Sequence, residues 1–499
     1  MASEVLINIG PAETRVAFVD NARLSEIFFE RTIADGGNAR AGHRLLGNIM
    51  LGRVQRVLPG MQAAFVDLGL ERAGFLAARE ARCLADLPSF TDQPCISKCV
   101  REGEAVLVQV IKDPISEKGA RLSANVTLPG RLVVLVPNQS GVALSRRIED
   151  EPERARLTEI VTEITKTDPR APAGAGYIVR TAALSATKDD IASDIARLGD
   201  EWRTIQARRN MVKVPATVYH DLDPDERTMR DGVDEDTTRI LIDDAQAVAQ
   251  AKSYAARAMP EALGKIHLFN GPGQLFDQYN IEGEIEALLQ PRVRLRSGGW
   301  ITVESTEALT SIDVNSGSYT EATGLEETSL RTNLEAAAEV GRQLRLRGIG
   351  GLIVIDFIHL GEPENIAQVL TVLTESVVLD RTPTQILPMS AFGLVEMTRK
   401  RVREPVVKLF TEHCDPCQAQ GRIKTVVTVA AELLRRVARE ARARPGTKLT
   451  AYAAPEVVRW IEGQGEEFSQ NLRKYAAAGL RFEARANFAR DQFDVGADQ

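Results

Sequence analysis

Several things are scarce in this chain, and each scarcity excludes something. Its 499 residues carry 62 Lys and Arg against 69 Asp and Glu, a net charge of −7. No overall positive field therefore draws a polyanion to it. Five cysteines, Cys83, Cys95, Cys99, Cys414 and Cys417, are too few for a disulfide framework in a chain of this length. No stretch approaches about 18 uninterrupted apolar residues, which excludes a transmembrane helix. Residues Met1 to Gly10 lack the basic and long apolar regions of a signal peptide, so a cytoplasmic location is expected. No repeat recurs at solenoid periods, and there is no low-complexity tail.

What is present is ordinary globular material. Hydrophobic residues make up 44% and charged residues 26% of the chain, enough for sizeable cores in about three to five folding units. Positive charge is uneven. It gathers at Arg292-Arg294-Arg296, Arg342-Arg345-Arg347, Arg399-Lys400-Arg401-Arg403 and Arg435-Arg436-Arg439-Arg442-Arg444. Such clusters suit an enzyme that grips a polyanion and releases it, and equally suit solvated helix faces.

Periodicity predicts strands over residues 3–20, broken by Gly10-Pro11, and a short one near Ile27 to Glu30. Short strands with glycine turns from about Gly47 to Asn125 predict a small antiparallel barrel of the OB type, with Cys83 to Lys98 as a loop. Helices are expected over 151–165, 188–208, 243–258, 329–347 and 426–443, with an extended stretch at Gly176 to Thr181. Apolar strands at 300–305, 309–314 and 352–358 flank the 329–347 helix, which is an α/β pattern.

Two of those strands end in a carboxylate: Thr310-Ser311-Ile312-Asp313-Val314-Asn315 and Leu352-Ile353-Val354-Ile355-Asp356. Strands this apolar are not expected to hold a charge without reason, because burying an unpaired carboxylate is costly. If the strands are sheet neighbours joined by one helix, Asp313 and Asp356 meet at one edge, where open α/β sheets bind ligands. Two such oxyanions suit Mg²⁺, with the Asn315 amide beside them. The plainer alternative is a helix cap at Asp313 and a salt bridge at Asp356.

The segment from Gly298-Gly299-Trp300-Ile301 through Asp313-Val314-Asn315-Ser316-Gly317 and Thr332-Asn333-Leu334-Glu335-Ala336-Ala337 to Gly351-Leu352-Ile353-Val354-Ile355-Asp356-Phe357 resembles the catalytic core of the bacterial ribonuclease E/G family. Ala64-Phe65-Val66-Asp67, Gly74-Phe75-Leu76, Ser145-Arg146-Arg147-Ile148, Ile178-Val179-Arg180-Thr181, Phe392-Gly393-Leu394 and the Cys-x-x-Cys agree in order, so the resemblance covers nearly the whole chain. It implies a short member of that family with an α+β multidomain fold. The expected parts are an RNase H-like domain in two pieces (1–42 and 221–288), interrupted by an S1 (OB-type) barrel (43–128) and a 5′-sensor region (129–220). A DNase I-like catalytic domain (289–412), a zinc link (413–421) and a small domain (422–499) follow.

The resemblance further implies Mg²⁺-dependent internal cleavage of single-stranded, AU-rich RNA to 5′-phosphate and 3′-hydroxyl products. Asp313 and Asp356 match the metal ligands and Asn315 the assisting amide. Phe65, Phe75 and Lys118 match RNA-binding positions of the barrel, although a half-buried Phe is more often core. Arg180 and Thr181, with Val134 lining the pocket, match the site for a 5′-monophosphate. Pro383 and Ala391 stand where relatives often carry a basic residue, which implies weaker phosphate sensing. Cys414 and Cys417 supply half of a tetrahedral Zn²⁺ site, and a second subunit would supply the rest. Cys95, Cys99 and His413 are rival ligands. The implied partners are single-stranded RNA, further copies in a homodimer or homotetramer, and the RNA decay machinery. A non-catalytic RNA-binding scaffold of the same fold is the alternative, as is a DNA nuclease. Retention of Asp313, Asn315 and Asp356 disfavours the first, and the barrel and Arg180-Thr181 features the second.

Overall fold

The computed structural model describes residues 3–31, 45–85, 95–114, 119–184, 186–317, 325–378, 380, 382–412, 414, 417, 421, 423–464 and 478–497. The chain divides into two units, Met1–Val406 and Val407–Gln499.

The larger unit begins with three antiparallel strands, Ser3–Ile9, Glu13–Asp20 and Arg23–Arg31. The last is far longer than the short strand expected near Ile27. The sheet is finished by distant chain: Ser3–Ile9 pairs in parallel with Thr237–Ile242, which pairs with Ile266–Leu268. Helix Ala245–Ala258 covers one face, started by the Asp244 carboxylate accepting from Ala247 N.

Inserted between the two halves of this sheet is a five-stranded barrel. Ile49–Leu58, Ala63–Asp67, Gly74–Ala77, Arg121–Ser123 and Ala105–Lys112 follow one another around it, and the first and last pair to close it. Ala64, Val66, Leu76, Val108 and Leu122 fill its interior. A further strand, Ala216–Tyr219, adds to Ile49–Leu58 from the outside. The expected loop at Cys83 to Lys98 is only partly loop: Arg82–Leu84 and Ile96–Cys99 form helical turns, and 86–94 lies outside the described residues. Ile96 and Cys99 are buried on the barrel, which explains the turn there.

Next comes a four-stranded sheet in the order Gly141–Leu144, Gly176–Val179, Val133–Val136, Leu128–Pro129. Helices Glu151–Thr167 and Lys188–Met211 pack on it. Thr187 and Asp190 form a reciprocal capping box at the second helix.

The remaining sheet has six strands in the order Arg292–Arg294, Trp300–Ser305, Leu309–Asn315, Gly351–Asp356, Leu394–Arg399, Thr384–Ile386. Leu309–Asn315 and Gly351–Asp356 are parallel, joined by the long helix Leu325–Arg347. That helix and Pro363–Val378 cover one face, where Ile301, Ile312, Val314, Ile353, Ile355, Val395 and Met397 meet Ala336, Val340, Leu344, Val369 and Leu373. On the other face Asp313, Leu352 and Asp356 are exposed.

The smaller unit packs helices Val426–Ala443 and Pro455–Glu462 on a three-stranded sheet with Leu449–Ala453 in the centre. Among the described residues no helix is long and apolar enough to cross a membrane.

Two of the four arginine clusters are structural. Arg342 is buried between Glu339 and Glu284 and donates to Leu24 O. Arg347 donates to Gln343 and to Gln290 O, and burial pushes its guanidinium down to about 10. Arg403 donates to Ile27 O and lies over the Phe28 ring. Arg399 is paired with Asp380 at 2.6 Å, both side chains being almost fully buried. Burial pushes the Asp380 carboxyl up, but Arg399 and Thr382 N outweigh this and hold it below the ordinary range. A depressed carboxyl contributes stability above its unfolded pKa and loses it as pH falls through the folded one. Asp380→Ala leaves Arg399 buried and unpaired, so it is expected to cost about 3 kcal/mol at neutral pH. In urea denaturation the gap between wild type and variant should shrink below about pH 4; a gap constant with pH would remove the ion pair as its cause.

Candidate active site and RNA interface

The parallel register of the central strands makes Asp313 and Asp356 direct partners. Along Leu309–Asn315, Ile312 and Val314 are buried while Asp313 is exposed; along Gly351–Asp356, Ile353 and Ile355 are buried while Asp356 is exposed. Strand alternation sends the apolar residues to the helix-covered face and the aspartates to the open one. Asn315, two residues on, shares that face, and its Nδ2 donates to Asp313 Oδ2 at 2.7 Å. Among the described residues neither aspartate is in an ion pair and neither caps a helix.

The same cross-strand row runs on past the aspartates. Asp313 partners Thr302, and Thr302 partners Arg292 on the edge strand. Arg292 lies over the Trp300 ring, 3.7 Å from its centroid, and Trp300 partners Asn315. Phe392, 89% exposed, tips the turn between Ser390 and Leu394, whose strand partners Asp356.

On the barrel, Phe65 and Phe75 are cross-strand partners with ring centroids 6.0 Å apart, edge to face. Both are half-exposed, whereas Ala64, Val66 and Leu76 point inward. They are not barrel core. Pairing continues on both sides, Arg56 beside Phe65, Arg121 beside Phe75, and Lys112 beside Arg121. The outer face thus carries a row of cations around two aromatics. No sequence window shows it, because the five residues come from five strands. Lys118 lies outside the described residues.

Arg180 follows the Gly176–Val179 strand and Thr181 opens a short 3₁₀ turn. Val134 partners Ile178, so Val134, Ile178 and Arg180 share a face. Arg180 is already engaged: it donates to Gly130 O and to Asp231 at 2.7 Å. Burial pushes the Asp231 carboxyl up, but Arg230 and Arg180 outweigh it and hold it low. Sequence reasoning missed Asp231, 51 residues away. It also missed a connection. The Thr181 hydroxyl is 3.1 Å from that of Ser145, and Arg147, two residues on, donates to Asp380 O. Asp380 in turn holds Arg399 on the strand that pairs with Gly351–Asp356. Pro383 is exposed beside this pair, and Lys400 N donates to its carbonyl.

In the smaller unit, Cys417 N donates to Cys414 O at 3.2 Å, so both cysteines belong to one turn, and both are thiols. His413 lies outside the described residues. Cys95 and Cys99 sit in the larger unit on the barrel, with Cys99 buried and its thiol pushed up by that burial. Among the described residues no three His, Cys, Asp or Glu side chains converge as a metal cluster. The two-carboxylate set at Asp313 and Asp356 nonetheless fits Mg²⁺, which takes one or two carboxylates and fills its octahedron with water and phosphate oxygens.

Comparison with known proteins agrees with this architecture. Residues 127–402 match the model of the "Ribonuclease E/G family". The chain is 38% identical to Ribonuclease G of Salmonella typhimurium (strain SL1344) over 501 aligned positions, covering 99% of each chain. It is 37% identical to Ribonuclease G of Escherichia coli (strain K12), again over 99% of each. Ribonuclease E of Nostoc is 38% identical over 82% of this chain and 58% of its own length. Family model and full-length relatives point the same way, and the chain belongs to the Ribonuclease E/G family.

Proposed function

We propose that the chain hydrolyses single-stranded, AU-rich RNA internally with Mg²⁺ held by Asp313 and Asp356, leaving 5′-phosphate and 3′-hydroxyl ends, in RNA processing and decay. Family membership makes it an endoribonuclease. The observation that carries the site is the register that sets Asp313 beside Asp356 on an exposed sheet face. Like charges directly opposite one another destabilise a sheet, and a shared cation removes that repulsion. When bound there, Mg²⁺ neutralises charge developing on the phosphate and lowers the pKa of a coordinated water. Asn315 donates to one Asp313 oxygen, which fixes the carboxylate rotamer and leaves its other oxygen for the cation. The open face lets an extended RNA strand cross the pair without rearrangement of the helices behind it.

The barrel row of Arg56, Phe65, Phe75, Arg121 and Lys112 supports a grip on unpaired bases: aromatics stack any base, and flanking cations follow the backbone. In a cleavage assay on a 5′-monophosphorylated AU-rich oligoribonucleotide with Mg²⁺, Asp313→Asn should abolish cutting while binding in EDTA stays intact. Phe75→Ala should weaken that binding by roughly 1–3 kcal/mol. Cutting retained in Asp313→Asn would refute the metal assignment. Binding without cutting in the wild type would leave a scaffold.

Arg180, Thr181 and Val134 support recognition of a 5′-monophosphate, with one qualification from the structure. Asp231 already occupies the guanidinium, so a phosphate there must share or displace it. Any rate advantage of 5′-monophosphate over 5′-hydroxyl RNA should vanish in Arg180→Ala and grow in Asp231→Asn. A variant pair with unchanged ratios would show the pocket is idle.

Cys414 and Cys417 support a Zn²⁺ shared between two copies, because one chain offers two thiolates from this turn and four are needed. The protein should contain one zinc per two chains and lose both the metal and the dimer in Cys414→Ser, read by metal analysis and sedimentation. A zinc-free dimer unaffected by that change would sink the idea.

A further inference from the structure

Of the arginine clusters in the larger unit, that at 292–296 is the exception to the structural pattern. Arg342, Arg347, Arg399 and Arg403 are spent on carboxylates and carbonyls inside the fold. Arg292 and Arg294 are exposed, and among the described residues neither makes an ion pair, in a chain with more acids than bases. Charges on an edge strand commonly serve only to deter edge-to-edge pairing. Their direction argues otherwise. On Arg292–Arg294 the alternate residue Val293 packs on the apolar core, so both arginines rise on the open face.

Register then fixes where they stand. Arg292, Thr302, Asp313 and Asp356 form one row across four neighbouring strands, and Arg294, Trp300 and Asn315 form the next. Strands lie about 4.8 Å apart, so the Arg292 backbone is about 10 Å from that of Asp313. Only Thr302 stands between them. The Arg292 guanidinium is also pre-set, lying 3.7 Å over the Trp300 ring. A cation stacked in this way loses less side-chain freedom on gripping an anion than one waving in solvent. Glu304, the acid nearest along the neighbouring strand, faces the same way without pairing to either arginine.

We propose that Arg292 and Arg294, with Trp300 as the platform for Arg292, form a phosphodiester-binding subsite that holds the RNA backbone beside the phosphate being cut. This rests on the reading of Asp313 and Asp356 as the cutting site. The row orients the strand: backbone entering over Arg292 crosses Thr302 before it reaches the two carboxylates. The arginines supply positive charge where the acidic pair and the net charge of the chain repel RNA, and they do so without base preference.

The test is binding of a fluorescein-labelled AU-rich oligoribonucleotide in EDTA, followed by anisotropy across a salt series. Arg292→Gln/Arg294→Gln should weaken binding about tenfold. The slope of log affinity against log salt should fall by about 0.7 for each phosphate that is no longer neutralised. Arg292→Lys should keep the slope, because it keeps the charge, and Trp300→Phe should weaken binding less than the double variant. Unchanged affinity and slope in a double variant with wild-type thermal stability would overturn the subsite. If the double variant is less stable, the comparison rests on Arg292→Gln alone, read the same way. A reduced slope in the double variant of a protein whose wild type cuts nothing with Mg²⁺ would leave the subsite standing and refute the cutting site instead.

Discussion

Everything at the candidate site depends on one strand pairing. Leu309–Asn315 and Gly351–Asp356 run parallel, with Asp313 opposite Asp356. A parallel pair needs a crossover, and the long helix Leu325–Arg347 is that crossover. The helix must lie on one face, and it takes Ile312, Val314, Ile353 and Ile355 with it. The aspartates are thereby assigned to the other face, where water can reach them. A slip of one residue in either strand would turn its aspartate to the helix-covered face. The apolar alternation that stabilises the sheet is thus the same feature that keeps the acids exposed.

Arginine does two different jobs in this chain, and position decides which. The guanidinium forks of Arg342 and Arg403 reach across element boundaries, from the long helix and the end of the sheet to the N-terminal strands at Leu24 and Ile27. They tie the sheet that bears the aspartates to the sheet that begins the chain. Arg147 extends the same web towards Thr181 through the Asp380 carbonyl. Thr181, beside Arg180, is therefore a few hydrogen bonds from the strand that partners Asp356, and the last of them, between Asp380 and Arg399, is buried.

Much of this is legible in the sequence. Helices with capping signals, such as Lys188–Met211 behind Thr187, sit where their periodicity puts them. The apolar strands ending in Asp313 and Asp356 are legible as neighbours because one helix separates them. Their exposure is harder to read: a strand with isoleucine on one face and Ser, Asp and Asn on the other resembles a uniformly apolar one when only its hydrophobic content is weighed. Features built from single residues on many strands are invisible for a simpler reason. The Arg56-Phe65-Phe75-Arg121-Lys112 row and the Arg292-Thr302-Asp313-Asp356 row exist only after pairing, and no window along the sequence contains them. The same holds for Asp231, whose partnership with Arg180 is set by packing between elements rather than by spacing.

The insertion of the barrel into the first sheet has a consequence for how the molecule comes into being. Chains fold from the N-terminus as they are synthesised. The barrel closes with strands drawn entirely from 49 to 123, whereas Ser3–Ile9 waits for Thr237–Ile242 to complete its own sheet. On the ribosome the earlier-made strands are therefore the later to be finished. Every strand of the barrel's aromatic face precedes residue 356, so a nascent chain holds that face before it holds both carboxylates.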